Sequence, residues 1–412
     1  MNVTITPGKL QGTLAVPPSK SQAHRLLIAA ALADGESHLT HVAMSQDIAA
    51  TLGALQALGA SCAADGTRIC GIRRGPWKGA LPHLDCGESG STLRFMIPIA
   101  LAVAGGGVFT GRGRLMQRPQ APYFELFRQK GIDYTLQDGV LTVRGCLRPG
   151  DYALRGDVSS QFFTGLLFAL SLLEGPSSLA STTALESADY LAMTLQVLQM
   201  AGITVAQPDS THFAIAGAQP YRPIHAAVEG DYSQAAFYLA ANGMGSQIQL
   251  TGLSADCVQA DRIILQYAQR LRAPGAVELD VRQCPDLVPA LAVQAALRAG
   301  QTTRIVNAAR LRMKESDRLQ AVSQSLNALG ARVQELPDAL QITGVAQLQG
   351  GAAESFHDHR IAMMLAVAAT CAAEPVVVQG AECVQKSYPN FWEDYEALGG
   401  VIRREGRQTC SM

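Results

Sequence analysis

The fold is most readily predicted from residues 58–69, Leu-Gly-Ala-Ser-Cys-Ala-Ala-Asp-Gly-Thr-Arg-Ile. A helical run precedes Gly59, which stands where a left-handed C-cap would end a helix. The alternating residues 62–69 surround Asp65-Gly66, a pair typical of the turn between two antiparallel strands. The stretch therefore predicts a helix followed by a β-hairpin.

The same pattern returns along the chain and indicates an internal repeat. A helical run, a glycine and a strand follow one another at Leu58-Gly59-Ala60, Lys130-Gly131-Ile132, Ala201-Gly202-Ile203, Leu329-Gly330-Ala331 and Leu398-Gly399-Gly400. The glycines are spaced by roughly 70 residues, except for one interval of nearly twice that length. Six repeats of strand, helix, strand, helix and hairpin therefore fit the chain. The pattern makes the fifth repeat irregular, because residues 272–280, after a helix at 260–271, are too few for a full hairpin.

The repeat also predicts the domain organisation. Each repeat must bury one helix face and one sheet face, and three repeats packed about a pseudo-threefold axis would form a compact domain. An open solenoid is the alternative, but its repeats are normally shorter. The length of 412 residues exceeds what one hydrophobic core usually organises. We therefore expect two closed domains of three repeats each.

The composition excludes several classes of function. The formal net charge is −1 and charged residues make up 16% of the chain, so no general positive field is available to hold nucleic acid or an anionic membrane. We see no signal-peptide pattern and no apolar segment long enough to span a bilayer. The nine cysteines include no Cys-x-x-Cys pair, which favours reduced thiols in a cytoplasmic protein over a zinc site. His357 and His359 lack neighbouring ligands and Gly-rich phosphate loops are absent, so no metal or nucleotide cofactor is expected.

Positively charged side chains stand at several predicted helix starts. In Lys314-Glu315-Ser316-Asp317-Arg318 the expected N-cap is Ser316, which places Arg318 in the first helical turn. A helix start favours anions, so an arginine there indicates that an external anion shares the site. Similar starts occur near Lys20, Arg94 and Arg360. One such cluster would usually be an exposed, salt-bridged helix start, but the recurrence predicts a shared anionic target.

If the repeat aligns the helices of each domain, these helix starts converge on one face of it. Two such faces opposed across a gap would form a cleft that carries Lys20, Arg25, Arg94, Arg118, Lys314, Arg318, Arg360 and Lys386. Repulsion between these cations would keep an empty cleft open, and polyanionic ligands would draw it shut. The side chains of Ser21, Ser159, Ser160 and Ser187 suit a phosphate monoester, although capping is the stronger interpretation for each serine taken alone.

Two carboxylates lie within this cationic surround and are candidates for proton transfer. Glu315 follows Lys314, and Asp286 follows Pro285. An acid and a base on either side of a reacting centre would serve general acid–base catalysis. For Asp286 the alternative is an N-cap of the helix at 287–297. His359 is either a third participant or a residue in polar packing.

Taken together, these motifs resemble those of the enolpyruvyl transferases. The resemblance runs in order from Val3 to about Gly400 and is closest to the branch of the family that acts on shikimate 3-phosphate. It implies a two-domain inside-out α/β barrel, each domain with three repeated βαβαββ units around a pseudo-threefold axis, joined by a double hinge. Residues 19–225 would form the shikimate 3-phosphate lobe. Residues 1–18 and 226–412 would form the phosphoenolpyruvate lobe, which holds the acid/base residues. The motifs that carry the resemblance are Lys20-Ser21 with Arg25, residues 87–94, Arg118-Pro119, Ser159-Ser160-Gln161, Glu229-Gly230-Asp231, Lys314-Glu315-Ser316-Asp317-Arg318 and Asp358-His359-Arg360.

The resemblance also implies the reaction. An enolpyruvyl group would pass from phosphoenolpyruvate to the 5-hydroxyl of shikimate 3-phosphate through a tetrahedral intermediate, as a step in chorismate and aromatic amino acid biosynthesis that needs no cofactor. Asp286 would take the hydroxyl proton, Glu315 with Lys20 would act at the methylene carbon, and His359 is a further catalytic candidate. Shikimate 3-phosphate would contact Lys20, Ser21, Arg25, Ser159, Ser160, Gln161, Ser187, Tyr190, Asp286, Arg310 and Lys314. Phosphoenolpyruvate would contact Lys20, Gly90, Arg94, Arg118, Gln161, Arg318, Arg360 and Lys386.

Some positions depart from the family pattern. Glu88 and Arg310 stand where the family often has asparagine, whereas Gly90 resembles the forms that glyphosate inhibits, so we expect sensitivity. Two other functions remain open. A UDP-N-acetylglucosamine enolpyruvyl transferase typically has a cysteine in the loop that here spans residues 111–118, and none occurs there. A non-catalytic phosphometabolite-binding protein would need the serines and arginines but not the two carboxylates. We expect a monomer with small-molecule substrates only.

Overall fold

The computed structural model describes residues 1–72 and 77–406 and divides into two compact units. The inserted unit comprises Pro18–Glu229, and the terminal unit comprises Met1–Pro17 with Gly230–Met412. The chain therefore begins in the terminal unit, completes the inserted unit and returns. No role is predicted for the C-terminal residues 403–412, and residues 407–412 lie outside the described residues.

The secondary structure follows the alternation predicted from the sequence. The strands are β1 (Asn2–Thr6), β2 (Gln11–Ala15), β3 (Glu36–Thr40), β4 (Ser61–Cys62), β5 (Arg68–Cys70), β6 (His83–Asp85), β7 (Gly106–Thr110), β8 (Asp133–Gln137), β9 (Val140–Arg144), β10 (Gly150–Leu154), β11 (Ser177–Ser181), β12 (Val205–Ala206), β13 (His212–Ile215), β14 (His225–Ala227), β15 (Gln247–Thr251), β16 (Val277–Asp280), β17 (Thr302–Val306), β18 (Val333–Glu335), β19 (Leu340–Thr343), β20 (Gly351–Glu354), β21 (Val376–Gln379) and β22 (Val401–Glu405). The α-helices are α1 (Lys20–Leu32), α2 (Gln46–Ala57), α3 (Gly90–Ala104), α4 (Ala121–Lys130), α5 (Ser160–Leu170), α6 (Ala188–Met200), α7 (Tyr232–Gly243), α8 (Ile264–Arg270), α9 (Val288–Ala296), α10 (Arg318–Ala328), α11 (His359–Ala369) and α12 (Phe391–Ala397). Short 3-10 helices span Leu115–Gln117, Ala260–Ile263, Pro285–Leu287, Ala309–Met313 and Ala381–Lys386.

The inserted unit contains three four-stranded sheets, ordered β14-β3-β5-β4, β6-β7-β9-β8 and β10-β11-β13-β12. In each sheet the first two strands run parallel and the last two form an antiparallel hairpin. In the second and third sheets a helix joins the parallel strands, and in all three a second helix leads to the hairpin, which is the predicted βαβαββ repeat. The first repeat takes its leading strand, β14, from the far end of the unit.

The first helix of each repeat forms the interior of the inserted unit. Helices α1, α3 and α5 are buried along almost their whole length, as expected for helices that are apolar on every side. Helix α5 approaches α3 closely at Gly165, where a Cβ atom would lie 2.6 Å from the carbonyl oxygen of Arg94. Helices therefore lie inside and sheets outside, which confirms the inside-out α/β architecture.

The terminal unit repeats this plan with strands from both ends of the chain. Its sheets are ordered β16-β17-β19-β18, β20-β21-β1-β22 and β15-β2. Strand β1 lies between β21 and β22 and is antiparallel to both. The two-stranded sheet lacks a hairpin, because the chain passes from α8 to β16 within a few residues. The hairpin is therefore missing as predicted, but from the fourth repeat and not the fifth.

The predicted glycine caps are confirmed by the backbone. The φ angles are positive at all five positions, 96° at Gly59, 66° at Gly131, 79° at Gly202, 90° at Gly330 and 87° at Gly399. Because only glycine adopts this conformation without strain, each helix ends where the sequence places the glycine. Among the described helices none is long and apolar enough to cross a membrane.

Candidate active site

In the inserted unit, a partly buried ion pair fixes Lys20 at the start of α1. Ser19 caps the helix by accepting a hydrogen bond from the Gln22 amide, and Lys20 is its first residue. Lys20 Nζ lies 2.7 Å from Oδ2 of Asp47, which is in the first turn of α2 and only 4% exposed. Asp47 was not among the predicted site residues, although an acidic residue at a neighbouring helix start is a signal that could have identified it.

Arg25 links α1 to α6. Its Nε donates to Thr194 Oγ1 at 2.8 Å, Nη1 to the carbonyl oxygen of Ser21 at 2.7 Å, and Nη2 to the carbonyl oxygen of Tyr190 at 3.0 Å. Burial lowers the pKa of Arg25 to about 10, so the guanidinium remains charged at neutral pH. Ser21, Arg25 and Tyr190 are therefore brought together, and their binding of one ligand stays a prediction.

Arg94 and Gln161 form a second linked group, between α3 and α5. Arg94 Nη1 donates to Gln161 Oε1 at 2.8 Å, and Nη2 donates to the carbonyl oxygen of Pro119 at 3.0 Å. The next residue back, Arg118, lies against α3, where a Cβ at Gly90 would stand 2.5 Å from its Nη1. A glycine at position 90 is thus what leaves room for the Arg118 guanidinium. Four of the predicted phosphoenolpyruvate contacts converge here.

Three of the four serines predicted to suit a phosphate lie at the starts of α5 and α6. Ser159 caps α5 by accepting a hydrogen bond from the Gln161 amide at 3.3 Å, so for this residue the capping interpretation applies. Ser160 is buried in the first turn. Ser187 precedes α6 with φ of 57°, a left-handed conformation that non-glycine residues rarely adopt, and its side chain makes no cap hydrogen bond. Backbone strain of this kind is often retained for function.

In the terminal unit, Asp286 is surrounded by three cations. Its Oδ1 lies 3.0 Å from Arg318 Nη1 and 3.3 Å from Lys314 Nζ, and its Oδ2 lies 3.2 Å from Arg360 Nη2. Asp286 sits in the 3-10 helix Pro285–Leu287 and does not cap the helix that follows. The alternative interpretation of Asp286 as an N-cap is therefore wrong.

The charges around Asp286 determine its protonation state. Burial acts to raise its pKa, but Arg360, Lys314 and Arg318 outweigh it and hold the pKa of Asp286 well below its ordinary value. Burial lowers the pKa of Lys314. Burial also opposes the charge on Arg318, yet its carboxylate neighbours, Asp358 first, raise the pKa of Arg318. Asp286 is consequently an ionised carboxylate, and the three cations around it are what keep it so.

The carboxylate of Asp358 connects several residues around Asp286. It caps α11 by accepting from the Arg360 amide at 3.0 Å, and its carboxylate receives Arg318 Nε at 2.8 Å and the Ser316 hydroxyl at 3.0 Å. Arg318 also donates to Glu315 Oε2 at 2.7 Å. The prediction that Ser316 caps α10 is wrong, because Asp317 accepts the capping hydrogen bond from the Gln320 amide and leaves Ser316 to bind Asp358.

The remaining predicted residues lie around this group. Arg310 Nη2 donates to the carbonyl oxygen of Arg282 at 2.6 Å. His359 is buried at the start of α11, with Nδ1 3.9 Å from Asp358 Oδ1, beyond hydrogen-bonding distance. Lys386 is buried at the end of the 3-10 helix Ala381–Lys386. The structure thus brings together Asp286, Lys314, Glu315, Arg318 and Arg360, whereas the meeting of these residues with those of the inserted unit in one crevice stays a prediction.

Repeated βαβαββ units with arginines, lysines and acidic residues at their helix starts define a class of protein, the enolpyruvyl transferases. The sequence profile of one family, EPSP synthase (3-phosphoshikimate 1-carboxyvinyltransferase), matches residues 5–395. The chain belongs to this family.

Curated relatives and solved structures agree with this assignment. The chain is 44% identical to the 3-phosphoshikimate 1-carboxyvinyltransferase of Clostridium kluyveri, over 97% of this chain and 98% of the relative. It is 41% identical to that of Clostridium perfringens strain 13, over 98% and 99% respectively. The fold is similar to that of EPSP synthase from Acinetobacter baumannii, with a TM-score of 0.79 and 24% identity over 98% of this chain and 100% of that one.

Proposed function

We propose that the chain is a 3-phosphoshikimate 1-carboxyvinyltransferase, which transfers the enolpyruvyl group of phosphoenolpyruvate to the 5-hydroxyl of shikimate 3-phosphate and releases phosphate. The observation that carries the proposal is that the Asp286 carboxylate lies within hydrogen-bonding distance of Lys314, Arg318 and Arg360. A second carboxylate, Glu315, accepts a hydrogen bond from Arg318. A simple binding protein needs such cations for its anionic ligand but has no use for two carboxylates among them.

The groups of the inserted unit suit the two anionic substrates. Lys20 and the serines at the starts of α5 and α6 would bind the shikimate phosphate, and Arg25 with Tyr190 would orient its carboxylate and ring. Arg94, Arg118 and Gln161 would bind phosphoenolpyruvate beside Gly90. Arginine is suited to this task because its planar fork binds carboxylate and phosphate oxygens in pairs.

The carboxylates of the terminal unit, with Lys20 of the inserted unit, would carry out the proton transfers. When phosphoenolpyruvate forms ion pairs with Arg318 and Arg360, it offsets their positive charge. The pKa of Asp286 then rises, and its carboxylate accepts the proton of the 5-hydroxyl. The hydroxyl oxygen then bonds to the central carbon of phosphoenolpyruvate, and Glu315 with Lys20 delivers a proton to the methylene carbon. In the second half of the reaction, the carbon–oxygen bond to phosphate breaks. The former methylene carbon then returns its proton to Glu315 with Lys20. The surrounding cations stabilise the departing phosphate.

Phosphate release tests the proposal directly. The purified chain is supplied with phosphoenolpyruvate and either shikimate 3-phosphate or UDP-N-acetylglucosamine. We expect phosphate only with shikimate 3-phosphate. Release with the UDP-sugar would favour the sister transferase, and release with neither, despite substrate binding by calorimetry, would favour a phosphometabolite-binding protein.

A pair of variants separates catalysis from binding. Glu315→Gln keeps a hydrogen-bond acceptor for Arg318 but removes the acid, so substrate binding should persist while turnover falls by roughly 10²–10⁴-fold. The control is Glu335→Gln, because Glu335 is an exposed residue of β18 that pairs with Arg312. Equal turnover in the two variants would remove Glu315 from the mechanism.

The oligomeric state and the location belong to the same proposal. We expect the chain to act as a monomer, since the cations and carboxylates that the reaction needs all come from one polypeptide. We expect it to act in the cytoplasm, because its cysteine pattern favours reduced thiols. Light scattering with both substrates present would report one mass, that of a single chain. A dimer that dissociates with loss of activity would contradict this.

A further inference from the structure

A cavity of about 770 Å³ opens in the terminal unit at the C-terminal ends of its buried helices. Its wall includes Met244, which follows α7, Leu297, which follows α9, and Cys371, which closely follows α11. The site residues Asp286 and Asp358 are at the opposite ends of α9 and α11. The cavity is therefore separate from the candidate active site, and the proposed function gives it no role.

A lysine and a cysteine meet at the wall of this cavity. Lys9 Nζ lies 2.7 Å from Cys371 Sγ and 2.8 Å from the carbonyl oxygen of Met244. The thiol also lies 3.6 Å from that carbonyl oxygen and 3.6 Å from Thr370 Oγ1. Sulfur is larger than oxygen, yet the nitrogen–sulfur distance is shorter than the ~2.9 Å typical of an N–H···O hydrogen bond. One oxygen atom bonded to both nitrogen and sulfur would span about this separation.

We propose that Lys9 and Cys371 form an oxidation site, at which a peroxide joins the amine nitrogen to the thiol sulfur through one oxygen atom. In the first step the thiolate attacks hydrogen peroxide and becomes a sulfenic acid, with release of hydroxide. In the second step the neutral amine, the sulfenic acid and a second peroxide give the N–O–S link and two molecules of water. Nitrogen and sulfur are oxidised, and both peroxides are reduced.

The surroundings favour this pair over the buried thiols of the described chain. Lys9 is exposed and Cys371 is partly exposed at an open cavity, so peroxide can reach both. Cys86, Cys257 and Cys284 are buried. Lys9 Nζ also donates to the carbonyl oxygen of Met244, the residue that follows α7, and this contact holds the amine beside the thiol. The link would tie the segment between β1 and β2 to the far end of α11, the helix whose start carries Asp358 and Arg360.

Mass spectrometry of the full chain tests the site without any activity measurement. After treatment with hydrogen peroxide, we expect a species heavier by about 14 Da, one oxygen gained and two hydrogens lost. Trypsin should then fail to cleave after Lys9, and residues 1–20 should appear joined to residues 361–386. A thiol reductant should restore the separate peptides.

Variants assign the link to the two atoms. Cys371→Ser should abolish it, which also excludes Cys383 on the same peptide, and Lys9→Arg should abolish it while keeping a cation at the helix end. Cys146→Ser, at an exposed cysteine, is the matched control and should retain the link. Oxygen added to Cys371 alone in the wild-type chain, no joined peptide, or a joined peptide in Lys9→Arg would each overturn the proposal.

Discussion

The buried histidine His24 should make the stability of the protein depend on pH in mildly acidic solution. Its ring is fully buried in α1, with Nδ1 2.7 Å from Thr51 Oγ1 and the edge of the ring packed against Phe95. Burial lowers the pKa of His24 from 6.5 to about 3, and the charges of Lys20 and Arg25 add to this effect against that of Asp47. The folded protein therefore keeps His24 neutral where the unfolded chain binds a proton.

The sign and size of the effect follow from that difference. The folded pKa is depressed, so the stabilisation is present above the unfolded pKa of 6.5 and is lost as pH falls towards 3. Each pKa unit corresponds to about 1.4 kcal/mol, so lowering the pH from about 7 to about 5 should cost roughly 2 kcal/mol through this residue.

Urea unfolding at these two pH values measures the effect. His24→Leu removes the titration, and Thr51 keeps a partner because its hydroxyl also bonds Thr92 at 2.6 Å. The variant should lose about 2 kcal/mol less than the wild type on acidification. His83→Gln, at an exposed histidine, is the control and should behave like the wild type. If wild type and His24→Leu show the same loss, the reasoning about the buried ring is refuted.

Three further predictions concern the site residues. Asp358→Asn leaves the guanidinium of Arg318, which is 1% exposed, with less compensating charge, and should lower the free energy of unfolding by about 3 kcal/mol; a loss below about 1 kcal/mol in urea titration would contradict this. Gly90→Ala places a Cβ 2.5 Å from Nη1 of Arg118 and should raise the KM for phosphoenolpyruvate about tenfold. An unchanged KM in the phosphate-release assay would disprove the contact between Arg118 and phosphoenolpyruvate. Asp286 has a depressed pKa, and its stabilisation is present above about pH 4 and lost below it; Asp286→Asn should therefore flatten the stability profile in that acidic range, as followed by circular dichroism.

The repeat architecture was predictable because its signals are local. A glycine that ends a helix and an Asp-Gly pair between two strands act through neighbouring residues, so each can be interpreted from a short window of sequence. The repeat number of the missing hairpin was not predictable in the same way. Strands β1, β2 and β14 complete sheets whose other strands lie far along the chain, and no local pattern shows to which repeat such a strand belongs.

The candidate site likewise has features that the sequence could predict and features that it could not. The cations at the helix starts were predictable from their unusual position, but their partners were not. Asp47 lies 27 residues from Lys20, and Asp358 lies 40 residues from Arg318. The choice between Ser316 and Asp317 as the cap of α10 depends on Asp358, which engages the Ser316 hydroxyl. Both residues are good caps in isolation, so only the tertiary contact decides between them.

The position of β1 between β21 and β22 has a consequence for biosynthesis of the chain. The ribosome makes Asn2–Thr6 before the inserted unit and makes both of its neighbours, β21 and β22, after that unit. The inserted unit has all its strands once β14 has emerged, and domains generally fold as units during synthesis. The leading strand has no partner until β21 leaves the exit tunnel, and it is paired on both sides only after β22 follows, so nascent chains stalled before Val401 should hold one finished unit and one that is still open.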